Sequence, residues 1–453
     1  MKNLHLKLSV LWLSTSVCLP LWAQEQALTK GLTPLQAYTL AFENNATLAA
    51  ASADNAAIQE RIPQARAALL PRAEARADIS YNKKTTEYDG PTPFRSGDFD
   101  ATSRNWIVEL RQVIFNKASR EALGQATVVV AQGDTALALA KQQLTLEVIQ
   151  RYFALLLAQE AVDLSVIEQE SAAEQFSRAK RGFDLGAATI TDVHETQAGF
   201  DISRSREIVA RNELAIARQT LGRVIGKEPV DIASLSKAVT LTPPQPQVME
   251  HWVDKARKQN LQVILAEKTV EIAAREIGRQ RGFAYPSVEA VARYGDHSDS
   301  SSNLGTGIDS IEASIGLEAK IPLYAGGIVG TQVRQVTALR QRAWHQLDDA
   351  RQQATLQAQT AYLSLNSDIL RVQALQQSQI SSENSLKSTQ RGFELGLRTG
   401  IDVLNARQQL FAARRDLASA RYSYLLNNLK LQAAIGDLNE QDLSDLESLF
   451  HKG

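Results

Sequence analysis

Apolar and polar residues alternate with a period of two in four short stretches of the chain. Two stretches lie at about residues 71–116 and two at about residues 285–325. Strict alternation predicts β-strands with one apolar and one polar face, and about 10 residues suffice for a tilted strand to cross a bilayer. The apolar rows are Ala73, Ala75, Ala77, Ile79 and Tyr81; Trp106, Val108 and Leu110; Val288, Ala290, Ala292 and Tyr294; and Ile311, Ala313, Ile315, Leu317, Ala319 and Ile321.

The rows between these apolar residues are rich in charge, with residues such as Glu109, Arg111 and Arg293. An apolar outer face and a wet, charged inner face are typical of outer-membrane barrels. Half-buried strands of a soluble sheet are the alternative, but the long Gly/Asp/Ser-rich loops at 82–104 and 296–310 favour a barrel with extracellular loops. Four strands cannot close a barrel, because their open edges would face lipid. We therefore expect several copies of the chain to pool their strands.

Two long blocks, Asn116 to Glu228 and Leu323 to Gly453, contain none of the 12 prolines of the chain. Proline breaks helix interiors, so its absence permits very long helices. Each block has one clear break, at Leu185-Gly186 and at Leu395-Gly396, where glycine suits a helix C-terminus. We predict two helical hairpins, in each of which the first arm has about 65 residues and a length of about 100 Å.

A seven-residue repeat runs along the second arm of the second hairpin. Large apolar residues form one row, and mostly small residues form a second row three positions later. This pattern is typical of a coiled-coil seam in which two helices approach closely. The first row is Val403, Leu410, Leu417, Tyr424 and Leu431, and the second row is Ala406, Ala413, Ala420, Asn427 and Ala434.

The chain also contains an internal duplication. The segment RGFDLGAATITDV from Arg181 returns as RGFELGLRTGIDV from Arg391, and 14 of 46 positions are identical over the two segments that these motifs open. Duplication on this scale predicts two copies of one supersecondary unit. The predicted divisions are a first repeat at 24–226 with its tip at 182–192, a linker at 227–247, a second repeat at 248–436 with its tip at 392–402, and a C-terminal segment at 437–453.

Residues 1–23 have the pattern of a secretory signal peptide, with a basic start, an apolar stretch and Ala23 before the expected cut. A membrane anchor is the alternative, but the apolar run is short for one. Cys18 is the only cysteine and lies in this segment, so we expect the mature chain to lack disulfides, thiol catalysis and zinc–cysteine sites. No apolar run of about 20 residues follows, so we expect any membrane insertion to occur through the strands.

Composition and motifs argue against catalysis and nucleic-acid binding. The formal net charge is −1, so no polybasic surface for nucleic acid is expected. The six histidines have no metal-ligand spacing, no glycine-rich phosphate loop follows a strand, and no nucleophile elbow is present. We therefore expect no enzyme, no cofactor and no metal. A periplasmic coiled-coil adaptor or scaffold is the alternative function, and it accounts for the hairpins but not for the strands.

The mature sequence resembles the TolC family of outer-membrane channel-tunnel proteins over essentially its whole length. The similarity rests on the duplicated tips, on QVIFN (Gln112 to Asn116) and IPLYAGG (Ile321 to Gly327), and on ARYSYLLNNLKLQAAIGDLNEQDL (Ala420 to Leu443), which looks close to the family's namesake. The resemblance implies a mainly α-helical homotrimer: twelve strands form one outer-membrane β-barrel, and twelve helices continue it as a trimeric α-barrel across the periplasm. It also implies an exit duct for drug efflux or type I protein secretion. The implied partners are a periplasmic adaptor (membrane fusion) protein and an inner-membrane efflux pump or ABC exporter.

The same resemblance assigns roles to residues of the two tips. Asp402 matches a ring of carboxylates at the periplasmic aperture, and Asn405 stands where the family pattern has a second acidic ring, which implies a less negative aperture. Glycine and its neighbours at each tip match grooves that face the adaptor. These adaptor-contact residues are Leu185, Gly186 and Ala187 in the first tip and Leu395, Gly396 and Leu397 in the second tip.

A polar lock that holds the coils closed is the last implied site. Thr191, Asp192 and Arg398 match its members, and the tyrosine of the family pattern falls on Phe393. Phenylalanine has no hydroxyl group, so the resemblance implies a closed state that is looser or held by other contacts.

Overall fold

The computed structural model describes residues 31–94, 96–235, 241–301 and 306–450. The predicted signal peptide at 1–23, including Cys18, lies outside the described residues. In chain order the elements are α1 (Pro34–Asn44), α2 (Ala46–Gln59), α3 (Arg61–Ala67), β1 (Arg72–Thr86), β2 (Gly97–Phe115), α4 (Lys117–Asp184), α5 (Ile190–Ile225), α6 (Met249–Gln259), α7 (Leu261–Gly282), β3 (Ser287–Asp299), β4 (Ile308–Lys320), α8 (Ile328–Glu394), α9 (Gly400–Ala434) and α10 (Glu440–Glu447).

The four strands form one antiparallel sheet in the order β1-β2-β3-β4. Its register brings the predicted apolar rows together on one face. Leu110 lies opposite Ala73 in β1 and opposite Ala292 in β3, and Ala292 lies opposite Ile315 in β4. The prediction of strands with one apolar face is therefore confirmed.

The other face of the sheet carries an ion-pair network. Glu109 pairs with Arg111 on its own strand and with Arg293 on β3, the latter at 2.6 Å. Arg111 also reaches Glu289 at 3.4 Å and Glu318 at 3.3 Å. Exposed ion pairs of this kind contribute little individually, but the network connects β2, β3 and β4 on the face predicted to be wet.

The two strand loops are shorter than the sequence predicts. Polar side chains extend the ladder beyond the apolar rows, as where the hydroxyl of Thr85 donates to Asp98 at 2.6 Å. The end of hydrophobic alternation therefore marks the end of the apolar band and not the end of the strands. β1 ends at Thr86 and β2 begins at Gly97, and β3 ends at Asp299 and β4 begins at Ile308, so the strands extend into the expected loops at 82–104 and 296–310.

Both proline-free blocks fold as helical hairpins, as predicted. The first arms, α4 and α8, have 68 and 67 residues, and the second arms, α5 and α9, have 36 and 35 residues. All five large residues of the predicted heptad row in α9 are buried, which confirms the coiled-coil seam. Each tip is a loop of five residues, 185–189 or 395–399.

The core is largest at mid-height, where α1, α6 and α10 pack around the long helices. There the ring of Phe153 stacks on Tyr422 with centroids 5.2 Å apart, and Phe450 packs edge-on against Tyr152 at 5.8 Å. The hydroxyl of Tyr152 also bonds with the carbonyl oxygen of Leu32 at 2.8 Å. We call Tyr152, Phe153, Tyr422 and Phe450 the aromatic cluster; it ties both hairpins to the two ends of the described chain.

The long helices lie side by side. Helix α4 contacts α5 and α9, and α9 contacts α8 and, near the tips, also α5, so that α5 and α8 lie at the two sides of the layer. Nearer the sheet, α7 packs between α4 and α8. None of the described helices is both long enough and apolar enough to cross a membrane. Helices α5 and α8, at opposite sides of the layer, expose apolar side chains, namely Ile202, Val209 and Ile216 on α5 and Leu363, Leu370 and Ile380 on α8.

Candidate functional site at the hairpin tips

The two tips have the same backbone conformation. Gly186 and Gly396 have φ values of +75° and +74°, in the left-handed region that favours glycine. In the first tip, the N–H of Gly186 donates to the carbonyl oxygen of Phe183 at 2.9 Å, and the N–H of Ala187 donates to Gly182 at 2.7 Å. The second tip repeats both bonds. This pair of bonds is a Schellman motif, which ends a helix by satisfying its last carbonyl groups.

Apolar side chains project from these turns. Leu185, Leu395 and Leu397 are 84%, 74% and 77% exposed. Large exposed apolar residues of this kind mark interaction surfaces when they are grouped. The tips therefore present a rigid turn with an apolar surface, at the end of the molecule farthest from the sheet.

Asp192 and Asp402 cap the helices that follow the tips. The carboxylate of Asp192 accepts from the N–H of Thr189 at 2.8 Å and from its hydroxyl at 2.7 Å, and the N–H of Asp192 donates back to that hydroxyl. Thr399 and Asp402 form the same capping box, with the corresponding distances of 2.9 and 3.0 Å. The backbone N–H and then the hydroxyl of the threonine hold the pKa of each carboxyl below its usual value. Both aspartates therefore stay ionised in moderately acidic solution.

A cleft of about 790 Å³ separates the two tips. Asp192, Phe393 and Arg398 all line it, whereas Thr191 is exposed on the first turn of α5. Among the described residues of the single chain, Arg398 forms no ion pair with Asp192, whose carboxylate is held by Thr189. Three of the four predicted lock residues thus meet in one cleft, but the polar link itself is not formed within the chain.

The aperture residues lie on the first turns of α9. Asp402 is half-buried and Asn405, three residues later, is exposed. Deeper in the cleft, burial lowers the pKa of Arg407, and the nearby carboxylate of Glu174 partly offsets this effect. The described residues contain no group of three or more His, Cys, Asp and Glu side chains placed to hold a metal ion.

One close apolar contact and one looser approach link the two tips, and the sequence analysis missed them. A Cβ atom at Gly199 of α5 would lie 2.7 Å from Cδ2 of Leu404 in α9, so Leu404 lies directly against the α5 backbone. A Cβ atom at Gly400 would lie 3.9 Å both from the ring of Phe393 and from the methyl group of Thr196. These contacts join residues about two hundred positions apart, and no local pattern signals them.

The sequence profile of the outer membrane efflux protein family matches residues 37–227 and 252–437. This chain belongs to the outer membrane efflux protein family. Each matched segment of this family member contains one strand hairpin and one helical hairpin, so the match spans both repeats.

Curated relatives and solved structures agree with this family membership. The outer membrane protein TolC of Vibrio cholerae serotype O1 is 29% identical over 413 residues, which cover 91% of this chain and 92% of that protein. The alkaline protease secretion protein AprF of Pseudomonas aeruginosa is 29% identical, with 95% of this chain and 89% of that protein covered. The CmeC outer membrane channel of Campylobacter jejuni has the same fold, with a TM-score of 0.78 at 16% identity, and covers 99% of this chain and 98% of that one. The resemblance to the TolC family is therefore confirmed.

Proposed function

We propose that this outer membrane efflux protein is a passive exit duct that serves drug efflux, type I protein secretion or both. One observation carries the proposal: a sheet with an exposed apolar face and two open edges continues directly into helices of 68 and 67 residues. Such a sheet is stable only where lipid covers its apolar face and further strands pair with its edges. The helices then extend about 100 Å from the membrane.

Several named relatives support this assignment. TolC and AprF are an outer membrane protein and a protease secretion protein, and the BepC protein of Brucella suis is an outer membrane efflux protein. The solved outer-membrane channels OprN and CmeC share the fold of this chain, which supports a conduit without catalysis. The exposed apolar strands also favour a membrane duct over a periplasmic adaptor or scaffold.

A deletion strain tests the function and separates its two forms. Loss of the gene should increase sensitivity to drugs, bile salts or dyes if the duct serves efflux, and should stop export of proteins if it serves type I secretion. Complementation with the full chain should restore whichever activity is lost. A deletion strain with normal drug sensitivity and normal secretion, in a background without a second such duct, would contradict the proposal.

The assembly that closes the duct is a homotrimer in which the sheet of one copy joins the sheet of the next. The lateral order of the long helices supports this arrangement, because it leaves the apolar row on α5 at one side of the chain and the row on α8 at the other. In a closed ring α5 of one copy meets α8 of its neighbour, and both rows become buried. A heterologous contact of this type forms a closed ring when the rotations from each copy to the next add up to a full turn.

The internal repeat also specifies how the strands meet between copies. The two strand hairpins are equivalent, since Arg72 pairs with Arg111 at the base of one and Ser287 pairs with Lys320 at the base of the other. The β2–β3 pairing therefore joins the first repeat to the second within one chain. By the same symmetry, β4 of one copy should pair with β1 of the next.

Equivalent positions in the two hairpins give the register of this β4–β1 pairing between copies. Val108 is equivalent to Leu317, and Tyr294 is equivalent to Ile79, by their distances from the bases of the hairpins. Because Val108 lies opposite Tyr294, Leu317 should lie opposite Ile79 of the neighbouring copy. Both side chains lie on the apolar face and are exposed in the single chain.

Cysteine cross-linking measures this register directly, because the mature chain is expected to contain no cysteine. The double variant Ile79→Cys/Leu317→Cys should form covalently linked trimers after brief treatment with a short thiol cross-linker. The control variant Ala75→Cys/Leu317→Cys should remain monomeric on denaturing gels, because a four-residue offset separates the thiols by about 13 Å along the strands. Linking in the control but not in the test pair would refute the register while leaving the trimer intact.

The tips are proposed to dock the periplasmic adaptor and to form the gate. The exposed leucines and the two left-handed glycines provide a repeated apolar turn, which the adaptor contacts on its way to an inner-membrane pump or ABC exporter. Asp402 and Asn405 form the aperture. Asp192, Phe393 and Arg398 line the cleft that changes shape on opening, and Thr191 is exposed next to Asp192 as the fourth member of the lock. Around a threefold axis, three copies of Asp402 focus a negative field on the opening.

This aperture should give the pore a characteristic response to pH. Polyvalent cations on the periplasmic side should block conductance while Asp402 is ionised, and the block should fade only as the pH falls through the lowered pKa of this carboxyl. Thr399→Val removes one donor, so it should raise that pKa and shift the loss of block to higher pH. Asp402→Asn should remove most of the block, and Asn405→Asp should strengthen it. Planar-bilayer recordings would contradict the assignment if block in Asp402→Asn equals that of the unmodified protein.

A further inference from the structure

We propose that an apolar latch, formed by Leu404 against Gly199, holds the two hairpin tips of one chain together and separates when the duct opens. The proposal rests on the proposed function as a gated duct. It adds an apolar contact to the predicted polar lock. Leu404 and Gly199 lie on α9 and α5, the second arms of the two hairpins.

The shape of the contact makes Gly199 specific to it. Gly199 is buried, and Leu404 is only 5% exposed although it lies close to the end of the molecule. Any side chain at Gly199 would place its Cβ 2.7 Å from Cδ2 of Leu404, so the leucine side chain would have to move out of its present position. Glycine is disfavoured in a helix interior, and here its lack of a side chain allows Leu404 to lie against the α5 backbone.

A second contact extends the latch toward the tip. Thr196, one turn before Gly199, is buried, and its hydroxyl donates to the carbonyl oxygen of Asp192 at 2.7 Å. Its methyl group therefore faces the cleft, where it lies beside Gly400 together with the ring of Phe393. An apolar strip of three side chains, Thr196, Phe393 and Leu404, thus lines the junction of the two tips. Phe393 contributes apolar area at the position where the family pattern has a tyrosine hydroxyl.

The two aspartates nearest the latch are engaged on their own helices. The carboxylates of Asp192 and Asp402 are held by Thr189 and Thr399 on their own helices. Apolar contacts are insensitive to ionic strength on the scale that screens exposed ion pairs. The latch therefore predicts that the contribution of Leu404 to closure is the same in low and in high salt.

Conductance measurements test whether the latch restrains the gate. Leu404→Ala removes the side chain that fills the contact, and it should raise the single-channel conductance of purified trimers in planar bilayers. The ratio of its conductance to that of the unmodified protein should be the same at low and at high salt. The control Leu214→Ala shortens a half-buried leucine of α5 that packs against the main core far from the tip, and it should leave conductance unchanged. Unchanged conductance in Leu404→Ala, with trimers intact on gels, would count against the latch.

A reversible disulfide tests whether the contact must separate. Gly199→Cys/Leu404→Cys should lose transport when oxidised and regain it after reduction, with thiol labelling as the measure of closure. The matched control is Val372→Cys/Leu417→Cys, whose positions pack together inside the second hairpin; its oxidation should not affect transport. Normal transport by the oxidised Gly199–Leu404 pair would overturn the proposal. A chain that supports no transport even when reduced and unmodified would overturn the proposed function instead.

Discussion

Leu317→Arg should abolish assembly of the duct, whereas the adjacent Gly316→Arg should assemble normally. Leu317 lies on the apolar face of β4 and is 76% exposed in the single chain. An arginine that faces the middle of the bilayer costs about 2–4 kcal/mol, and a trimer would contain three of them. Gly316 points to the opposite, charged face, where a Cβ atom would meet nothing within 4 Å.

Outer-membrane fractionation and the heat resistance of the trimer on gels measure this outcome. The two variants introduce the same residue at neighbouring positions of one strand, so general effects of arginine on expression or export cancel. Only the face of the sheet differs between them. Equal assembly of the two variants, or failure of Gly316→Arg alone, would reverse the assignment of the lipid-facing and lumen-facing sides.

Gly396→Trp should abolish transport while leaving trimers in the outer membrane. A residue other than glycine is strained at a φ of +74°, typically by 1–2 kcal/mol per residue, and the large side chain would obstruct the apolar turn that docks the adaptor. No atom other than those of the turn itself lies within 4 Å of a Cβ at Gly396, so the fold of the chain accommodates the change. Assays of drug resistance and of secretion, beside quantification of trimers, measure the effect.

Gly90→Trp is the matched control for this variant. Gly90 also has a positive φ, +92°, and open space around its Cβ position, but it lies in the loop between β1 and β2. The two substitutions therefore impose similar strain at opposite ends of the molecule. If transport is lost in both, strain rather than tip docking is responsible; if it persists in both, the tips do not dock the adaptor through Gly396.

Periodic patterns in the sequence predicted the elements that repeat along a single strand or helix. The strands, the long hairpins and the heptad row of α9 follow from alternation, from the distribution of proline and from seven-residue spacing, because each of these reports one buried face of one element. The capping boxes at the tips were also readable, since Thr189 and Asp192 have the three-residue spacing of such a box. The sequence analysis placed Asp192 in the lock and Asp402 in the aperture, and it missed their threonine capping partners.

Contacts between distant elements were not predictable in this way. The closeness of Leu404 and Gly199 depends on how two hairpins cross, and a lone glycine inside a helical pattern does not name its neighbour. The extent of the strands was underestimated for a related reason: pairs such as Thr85 and Asp98 continue the ladder through polar side chains. Hydrophobic alternation predicts which strand residues face lipid, but it does not predict how far strand pairing continues beyond them.

The position of the aromatic cluster turns each hairpin into a lever. Tyr152 lies within α4 and its ring packs against Phe450, so the long helix is anchored at mid-height, where the core is largest. About 30 residues separate this anchor from the tip, a distance of about 45 Å along the helix. A tilt of only about 5° at the anchor therefore moves the tip by about 4 Å, about three-quarters of the helix pitch. Small rotations at the aromatic cluster thus widen the tip end of the duct, while the helices near the sheet keep their arrangement.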